Sequence, residues 1–492
     1  MAIIIKEDKS WIKNSTGGPM LFSSLIFLFV FLPMVLFVYY ISPKKLKNLV
    51  LLIFSLFFYG YGEPKSLFVM LISIIMNYIF GLLVDRYRSN KSKVNVVLAL
   101  TAIGNLAVIG YYKYTDFFIE NFNAIFGLSV PLLHIIMPIG ISFFTFQGMS
   151  YVLDVYREQG KAQKNPLNVA LYISLFPQLI AGPIVRYETV AEQIDERHVD
   201  IDKFTSGIER FILGLSKKVL IANSMGLIAD EVFAISTPEM SMLLAWVGVL
   251  AYTAQIYFDF SGYSDMAIGL GRMFGFEFLE NFNYPYIARS ITDFWRRWHI
   301  SLSTWFRDYV YIPLGGNRVS QVKLIRNILL VWLLTGFWHG AAWNFITWGI
   351  YFGLLLMLEK FVIGNYLKKL WSPLQHIYAL LFIISGWVLF RAETLSYALD
   401  YFGVMFGLSG QPMVSDQALY YLFEYKVEFI IALIVSMPIY PLLQQKLANM
   451  KNKTLNITIN SYIKHFVLIA LLGICIMYLI NSTFNPFIYF RF

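Results

Sequence analysis

Apolar residues run in blocks long enough to cross a bilayer. They fall at about 21–41, 48–60, 66–84, 95–112, 130–152, 168–185, 241–258, 327–358, 376–390, 427–440 and 463–482. A hydrocarbon core takes about 20 helical residues per crossing. Segment 206–234 is mixed, broken by Lys217 and Lys218, and residues 391–425 read as an interfacial stretch. Short alternating segments, the mark of a membrane β-barrel, are absent. The pattern therefore predicts an all-α, polytopic integral membrane protein. It has about eleven transmembrane helices plus re-entrant or interfacial ones.

Composition agrees with this pattern. The 492 residues are 58% apolar, 18% aromatic and only 14% charged, with mean hydropathy +0.61. A soluble chain of this length needs more charge. The longest polar connection, Arg186 to Lys203, is too short for a soluble domain. Residues 20–492 thus read as one membrane domain behind a short leader, residues 1–19. That leader is no signal peptide, because its apolar run is three isoleucines followed by acids. Met20 directly precedes the first apolar run and is a candidate native start.

The net charge of +9 marks loops facing the cytoplasm rather than a nucleic-acid surface. Lys44, Lys45 and Lys47, then Arg86, Arg88, Lys91 and Lys93, then Arg157, Lys161 and Lys164 follow alternate apolar runs. The N-terminus is therefore predicted outside a cell membrane, the lipid bilayer is the partner, and no nucleic acid is expected. The single cysteine, Cys475, lies within the last apolar run and reads as core packing.

Charge and aromatic residues crowd together between Asn281 and Asn344, a stretch holding two of the six histidines, His299 and His339. Each follows a tryptophan, Trp298 and Trp338. At 100° per residue, Trp295, Trp298, His299, Leu302, Trp305, Phe306 and Tyr309 share one face. Three arginines in the same segment exclude a lipid-facing span. Residues 294–312 are thus expected to form a re-entrant or interfacial helix, with His299 at the edge of an aromatic wall. His339 follows the apolar run from Ile328 to Leu334 and lies between Gly336 and Gly340. An imidazole at that depth needs a partner or a water-filled cavity.

Several chemistries drop out. Neither HxxxH nor CxxC occurs here, so no zinc site is expected, and no GxSxG elbow is present. The glycines from Gly269 to Gly275 have the wrong spacing for a dinucleotide loop. What remains is histidine as a general base beside a membrane-embedded cavity, a role its pKa suits.

FWRRWHISLSTWFRDYVYIPLGGNR followed by TGFWHGAAWN resembles the membrane-bound O-acyltransferase family, most closely its alginate O-acetyltransferase branch. MLFSSLIFLFVFLPMVLFVYY, FFTFQGMSYVLDVYR, FPQLIAGPIVRY and YFDFSGYSDMAIGLGRMFGF fit the same branch. The resemblance implies that His339 is the principal catalytic residue, with His299 a second. Trp298, Trp338, Asp259 and Asn344 are expected near the substrate tunnel, and Asp265 and Gln178 as supporting groups. It implies O-acetylation of an extracellular or periplasmic polysaccharide, alginate-like, at a bacterial membrane. No bound cofactor is expected. The acetyl donor would be acetyl-CoA or another acyl thioester. The partner would be an exported SGNH-like acetyltransferase or another polysaccharide-modification protein. D-alanyl transfer, peptidoglycan as acceptor, and a non-enzymatic transporter stay open.

Overall fold

The computed structural model describes residues 20–448 except Ala181, together with 462–482 and 484–488. The leader, residues 1–19, lies outside the described residues. Those described form helices and connecting loops, with no strand among them. Seven helices are long and apolar enough to cross a membrane: Pro64–Arg86, Lys91–Phe126, Ile201–Phe233, Met242–Met273, Trp343–Leu367, Ser372–Arg391 and Lys464–Asn481. Lys426–Val435 and Ile439–Lys446 would make an eighth span, bent by 57°.

Proline and glycine explain why other apolar runs do not become full spans. Run 130–152 becomes helical only at Ile141. Pro131 and Pro138 cannot donate to a helical ladder, and Gly140 adopts a left-handed φ of 73° at the N-cap. Run 168–185 gives two short helices, Pro166–Ser174 and Phe176–Leu179. Run 327–358 splits into Gln321–His339 and Trp343–Leu358, and the break at Gly340 places His339 at a helix end. The mixed segment instead forms one helix, Ile201–Phe233. Lys217–Ala222 is a π-turn within it. The stretch 391–425 holds two short helices, Leu395–Met405 and Asp416–Glu424.

Contacts divide the described chain into two compact units. One comprises residues before 117 with Pro131–His198; the other comprises Phe117–Val130 and everything from Val199 onward. In the first, Phe22, Phe27, Phe31, Phe58 and Phe176 stack into an aromatic core. Asn77 and Asn105 exchange amide hydrogen bonds of 3.1 and 2.9 Å, which satisfies two polar groups inside apolar helices.

The second unit is built on close helix contact. Gly207 abuts Gly269, and Gly214 abuts Gly262, so that Ile201–Phe233 and Met242–Met273 meet backbone to backbone. Small residues permit this approach where lipid removes the hydrophobic drive for association. The same device recurs where Gly336 faces Gly349: a Cβ at either glycine would strike the other helix's backbone. That crossing fixes the depth of His339, one turn below Gly336. Cys475 is buried, its thiol 3.6 Å from the Ser216 hydroxyl.

Candidate functional site

The aromatic wall predicted as one helix is broken at its centre. Ile291–Trp295 and Ile300–Phe306 are separate helices, and Arg307–Tyr311 continues as a π-turn. His299 lies in the break at φ 45°. The periodicity misled because the same residues still share one wall, although the backbone turns between them. A left-handed non-glycine residue costs about 1–3 kcal/mol and persists only when its surroundings over-determine it.

Asn281 supplies much of that determination. Its Oδ1 accepts from His299 Nδ1 at 3.1 Å, from the Ser301 amide at 3.2 Å and from the Ser301 hydroxyl at 2.8 Å. Its Nδ2 donates to Ser264 Oγ at 3.1 Å, which fixes the amide orientation. Its backbone carbonyl also accepts the Ile300 amide at 2.9 Å. An amide oxygen can only accept, so Nδ1 of a neutral His299 carries the proton. Nε2 then holds a lone pair, buried and with no partner among the described residues. In that form His299 is an acceptor, so the neutral ring cannot stabilise an oxyanion. Phe260 packs edge-on against the ring at 4.5 Å.

His339 stands in an aromatic box. Its ring is 4.9 Å from Trp338, 5.1 Å from Trp348 and 5.1 Å from Phe390, each nearly perpendicular. Trp338 links the two histidines, with its ring 6.2 Å from His299.

Two cavities meet at this pair. The larger, about 830 Å³, is lined by His299, His339, Trp298, Trp295 and Thr335, and by Arg289, Arg296, Arg307, Lys360, Lys368, Asp293 and Glu359. Five cationic side chains against two acids give it a positive field, which concentrates anionic ligands. The smaller, about 20 Å³, is lined by Trp298, His299 and His339 with Ile256, Phe260, Trp348, Trp387, Phe390 and Ile488. The histidine pair therefore borders both a large cavity with charged walls and a small one lined mainly by aromatic and aliphatic groups.

The remaining sequence candidates do not line either cavity. Trp338 touches both imidazoles but lines neither cavity. Asn344 donates to the Ala392 carbonyl at 2.8 Å, tying two helix ends together. Asp259 forms a buried ion pair with Lys218 at 2.8 Å, and Asp265 pairs with Arg210 and Lys217 at 2.6 and 2.7 Å. None of these three lines either cavity. Gln178 belongs to the first unit, where it donates to the Tyr172 carbonyl at 2.5 Å.

Three residues of the site went unnoticed in the sequence. Asn281 lies 18 positions from the histidine it holds. Glu359 is buried and accepts from the amides of Ile291 and Thr292 at 2.6 and 2.8 Å, capping the short helix before His299. Its signal was one carboxylate interrupting the run from Leu354 to Ile363. Trp348 offers a buried indole N–H with no partner among the described residues, and nothing in its sequence context separates it from core.

Substituting Asn281 by Ala removes the acceptor that sets the His299 tautomer and ring direction. We expect transfer to fall on the order of 10²-fold, the cost of a misplaced reacting group. Asn281→Asp should recover part of it, because a carboxylate also accepts from Nδ1. Equal rates for Asn281→Ala and the unaltered protein would remove this role.

Residues 157–398 match the family model of MBOAT, the membrane-bound O-acyltransferases. Over 401 residues the chain is 46% identical to a probable alginate O-acetylase of Azotobacter vinelandii, covering 81% of this chain and 80% of that one. It is 39% identical over 427 residues to a peptidoglycan O-acetyltransferase of Helicobacter pylori, covering 80% of each. A teichoic acid D-alanyltransferase of Bacillus subtilis is 31% identical over 260 residues, 49% of this chain and 64% of that one. The family match contains both histidines, Asn281, Glu359 and every residue that lines the larger cavity. With identity this high over four-fifths of a whole relative, the chain belongs to the membrane-bound O-acyltransferase family, and it is a multi-pass membrane acyltransferase.

Proposed function

We propose that this acyltransferase takes an acetyl group from a cytoplasmic thioester and delivers it across the membrane for O-acetylation of an extracellular or periplasmic polysaccharide. The observation that carries the donor half is the joining of a cationic cavity of about 830 Å³ to a buried histidine pair. A phosphorylated carrier such as coenzyme A suits such a vestibule: its phosphates meet the arginines and lysines, and its thioester reaches the imidazoles. The alginate and peptidoglycan acetylating relatives support an acetyl cargo and a polymer acceptor.

In the reaction we infer, the acceptor oxygen bonds to the thioester carbonyl carbon and the carbon–sulfur bond breaks. His339 takes the hydroxyl proton and returns it to the departing thiolate. Nε2 of His299 accepts an N–H or O–H of the bound substrate. Trp348, with its ring 5.1 Å from His339, has a buried N–H for the developing oxyanion. Aromatic packing around the pair excludes water, which would otherwise compete as acceptor.

His339→Ala should lower acetyl transfer by about 10²–10⁴-fold while leaving membrane insertion intact. His299→Ala should be damaging with residual turnover. The check is acetyl transfer from labelled acetyl-CoA by protein in vesicles. Near-native transfer by His339→Ala would remove it as the base.

The basic loops at Lys44 to Lys47 and Arg86 to Lys93 bracket the successive apolar helices Lys47–Gly62 and Pro64–Arg86, and Glu63 lies between those two helices. By the positive-inside rule the N-terminus faces out of a bacterial cytoplasmic membrane. A cysteine placed at Lys45 should react with a membrane-impermeant reagent only after the cells are opened. Labelling in intact cells would reverse the orientation.

Sugar polymers need an open cleft with many hydrogen bonds, whereas the histidine pair lies inside an apolar bundle. We therefore propose a relay in which an exported SGNH-like transferase receives the acetyl group and places it on the polymer. Polymer acetylation should require both proteins in a reconstituted mixture. Full-rate acetylation of polymer by this chain alone would eliminate the relay.

A further inference from the structure

The small chamber behind the histidines takes one of its wall residues, Ile488, from the segment after the helix Lys464–Asn481. After the helix Lys464–Asn481 the chain turns back into the protein, and residues 485–488 run into the core of the second unit. Buried polar contacts hold them there. Lys218 donates to the Pro486 carbonyl. Asn223 donates to Asn485 Oδ1 at 3.4 Å. The Ile488 amide donates to Asp259 Oδ2 at 2.8 Å, and the other oxygen of Asp259 pairs with Lys218 at 2.8 Å. Phe487 lies against Tyr263 with ring centroids 4.7 Å apart. These contacts leave Ile488 only 3% exposed, on the wall of the chamber that His299 and His339 also line.

The chamber's size is what matters. A single water needs about 10–15 Å³ of comparable volume, so about 20 Å³ takes one group the size of a methyl. Apart from the two imidazoles and the Trp348 indole N–H its walls are apolar. The methyl of an acetyl group gains burial against the aromatic and aliphatic walls. An acyl carbon held between the imidazoles would direct its methyl into this chamber and its sulfur toward the larger, cationic cavity.

We propose that Ile488, carried in by the C-terminal segment and fixed through Asp259 and Lys218, sets the acyl-chain limit of this enzyme by closing the methyl chamber. The inference rests on acyl-thioester transfer at the histidine pair. Trp298, Trp348, Trp387 and Phe390 also bound the chamber, but they interlock with one another and with His339. Ile488 and Ile256 are the aliphatic wall residues, and of the two only Ile488 lies outside the bundle helices, so trimming it enlarges the chamber without dismantling that box. Propionyl and butyryl groups carry one and two further methylenes, and a pocket this tight excludes them by shape.

The test is the ratio of acetyl to propionyl to butyryl turnover by full-length protein in vesicles, for the unaltered chain and for Ile488→Ala, Ile488→Val and Ile488→Phe. Acyl-CoA is the donor series. The same acyl groups on a phosphopantetheinyl carrier protein are run in parallel, so that a wrong choice of donor does not count against the chamber. One methylene in an apolar pocket discriminates by about 10–200-fold. The unaltered protein should therefore prefer acetyl to propionyl by at least about 10-fold. Ile488→Ala should bring that ratio close to unity and admit butyryl. Ile488→Val, which removes a single methyl and preserves packing, should shift it part of the way. Ile488→Phe should depress acetyl turnover itself. An unchanged ratio in Ile488→Val and in any active Ile488→Ala protein overturns the proposal, as does free use of butyryl by the unaltered enzyme.

Discussion

An amide oxygen on Asn281 accepts three hydrogen bonds, and the geometry of the histidine pair depends on them. Without that acceptor, His299 would keep only a long 3.4 Å contact with the Ser301 hydroxyl, in a strained backbone conformation inside an apolar core. Each feature is costly alone. Together they reinforce one another: the left-handed turn at His299 directs Nδ1 at Asn281, and the bond to Asn281 stabilises the turn. Ser301 adds two donors to the same oxygen, so a rotation of the Asn281 side chain would break several bonds at once. That coupling is how one tautomer is selected in a protein interior, and the choice of tautomer leaves the lone pair on Nε2.

The second requirement is depth. His339 closes a helix whose crossing with Trp343–Leu358 is set by Gly336 and Gly349. Helices in contact at their backbones cannot slide without steric conflict, so the imidazole sits at a fixed level relative to Trp348 and Phe390. The cationic cavity approaches from the other face. Its charges are expensive in an apolar bundle, and several are balanced locally: Asp293 accepts from Arg297 at 2.9 Å and Glu359 caps a helix start. The acids neutralise part of the field and leave a positive surplus, which attracts anions.

The sequence made the two histidines legible because apolar surroundings made them conspicuous and because a long motif enclosed both. It made the all-helical membrane class legible through the length of its apolar runs. The break at His299 was hidden. Helical periodicity records which residues share a wall, and a wall built by two short helices with a turn between them yields nearly the same pattern as one helix. Asn281 and Trp348 were invisible for another reason: an asparagine or a tryptophan announces nothing until its partners are known, and those partners are set by tertiary packing. Asp259 was visible as a buried acid and was expected at the tunnel. In the structure its oxygens serve Lys218 and the Ile488 amide instead. Burial of a carboxylate signals that it has a partner, without saying which.

The Lys218–Asp259 pair shows what a buried ion pair contributes in such a place. With exposures of 2% and 1% for the two side chains, both charges have lost their hydration, and their attraction does little more than offset that loss. Apolar side chains of the same volume would serve stability equally well. They would not hold an extended segment in one register, because apolar contact is indifferent to small displacements along the chain. A carboxylate that must accept one particular amide, and an ammonium that must meet one particular carbonyl, tolerate no slip. A shift of one residue would present Phe487 to the chamber in place of Ile488. The pair therefore gives the C-terminal segment a defined register, and register is what a wall residue in a methyl-sized chamber requires.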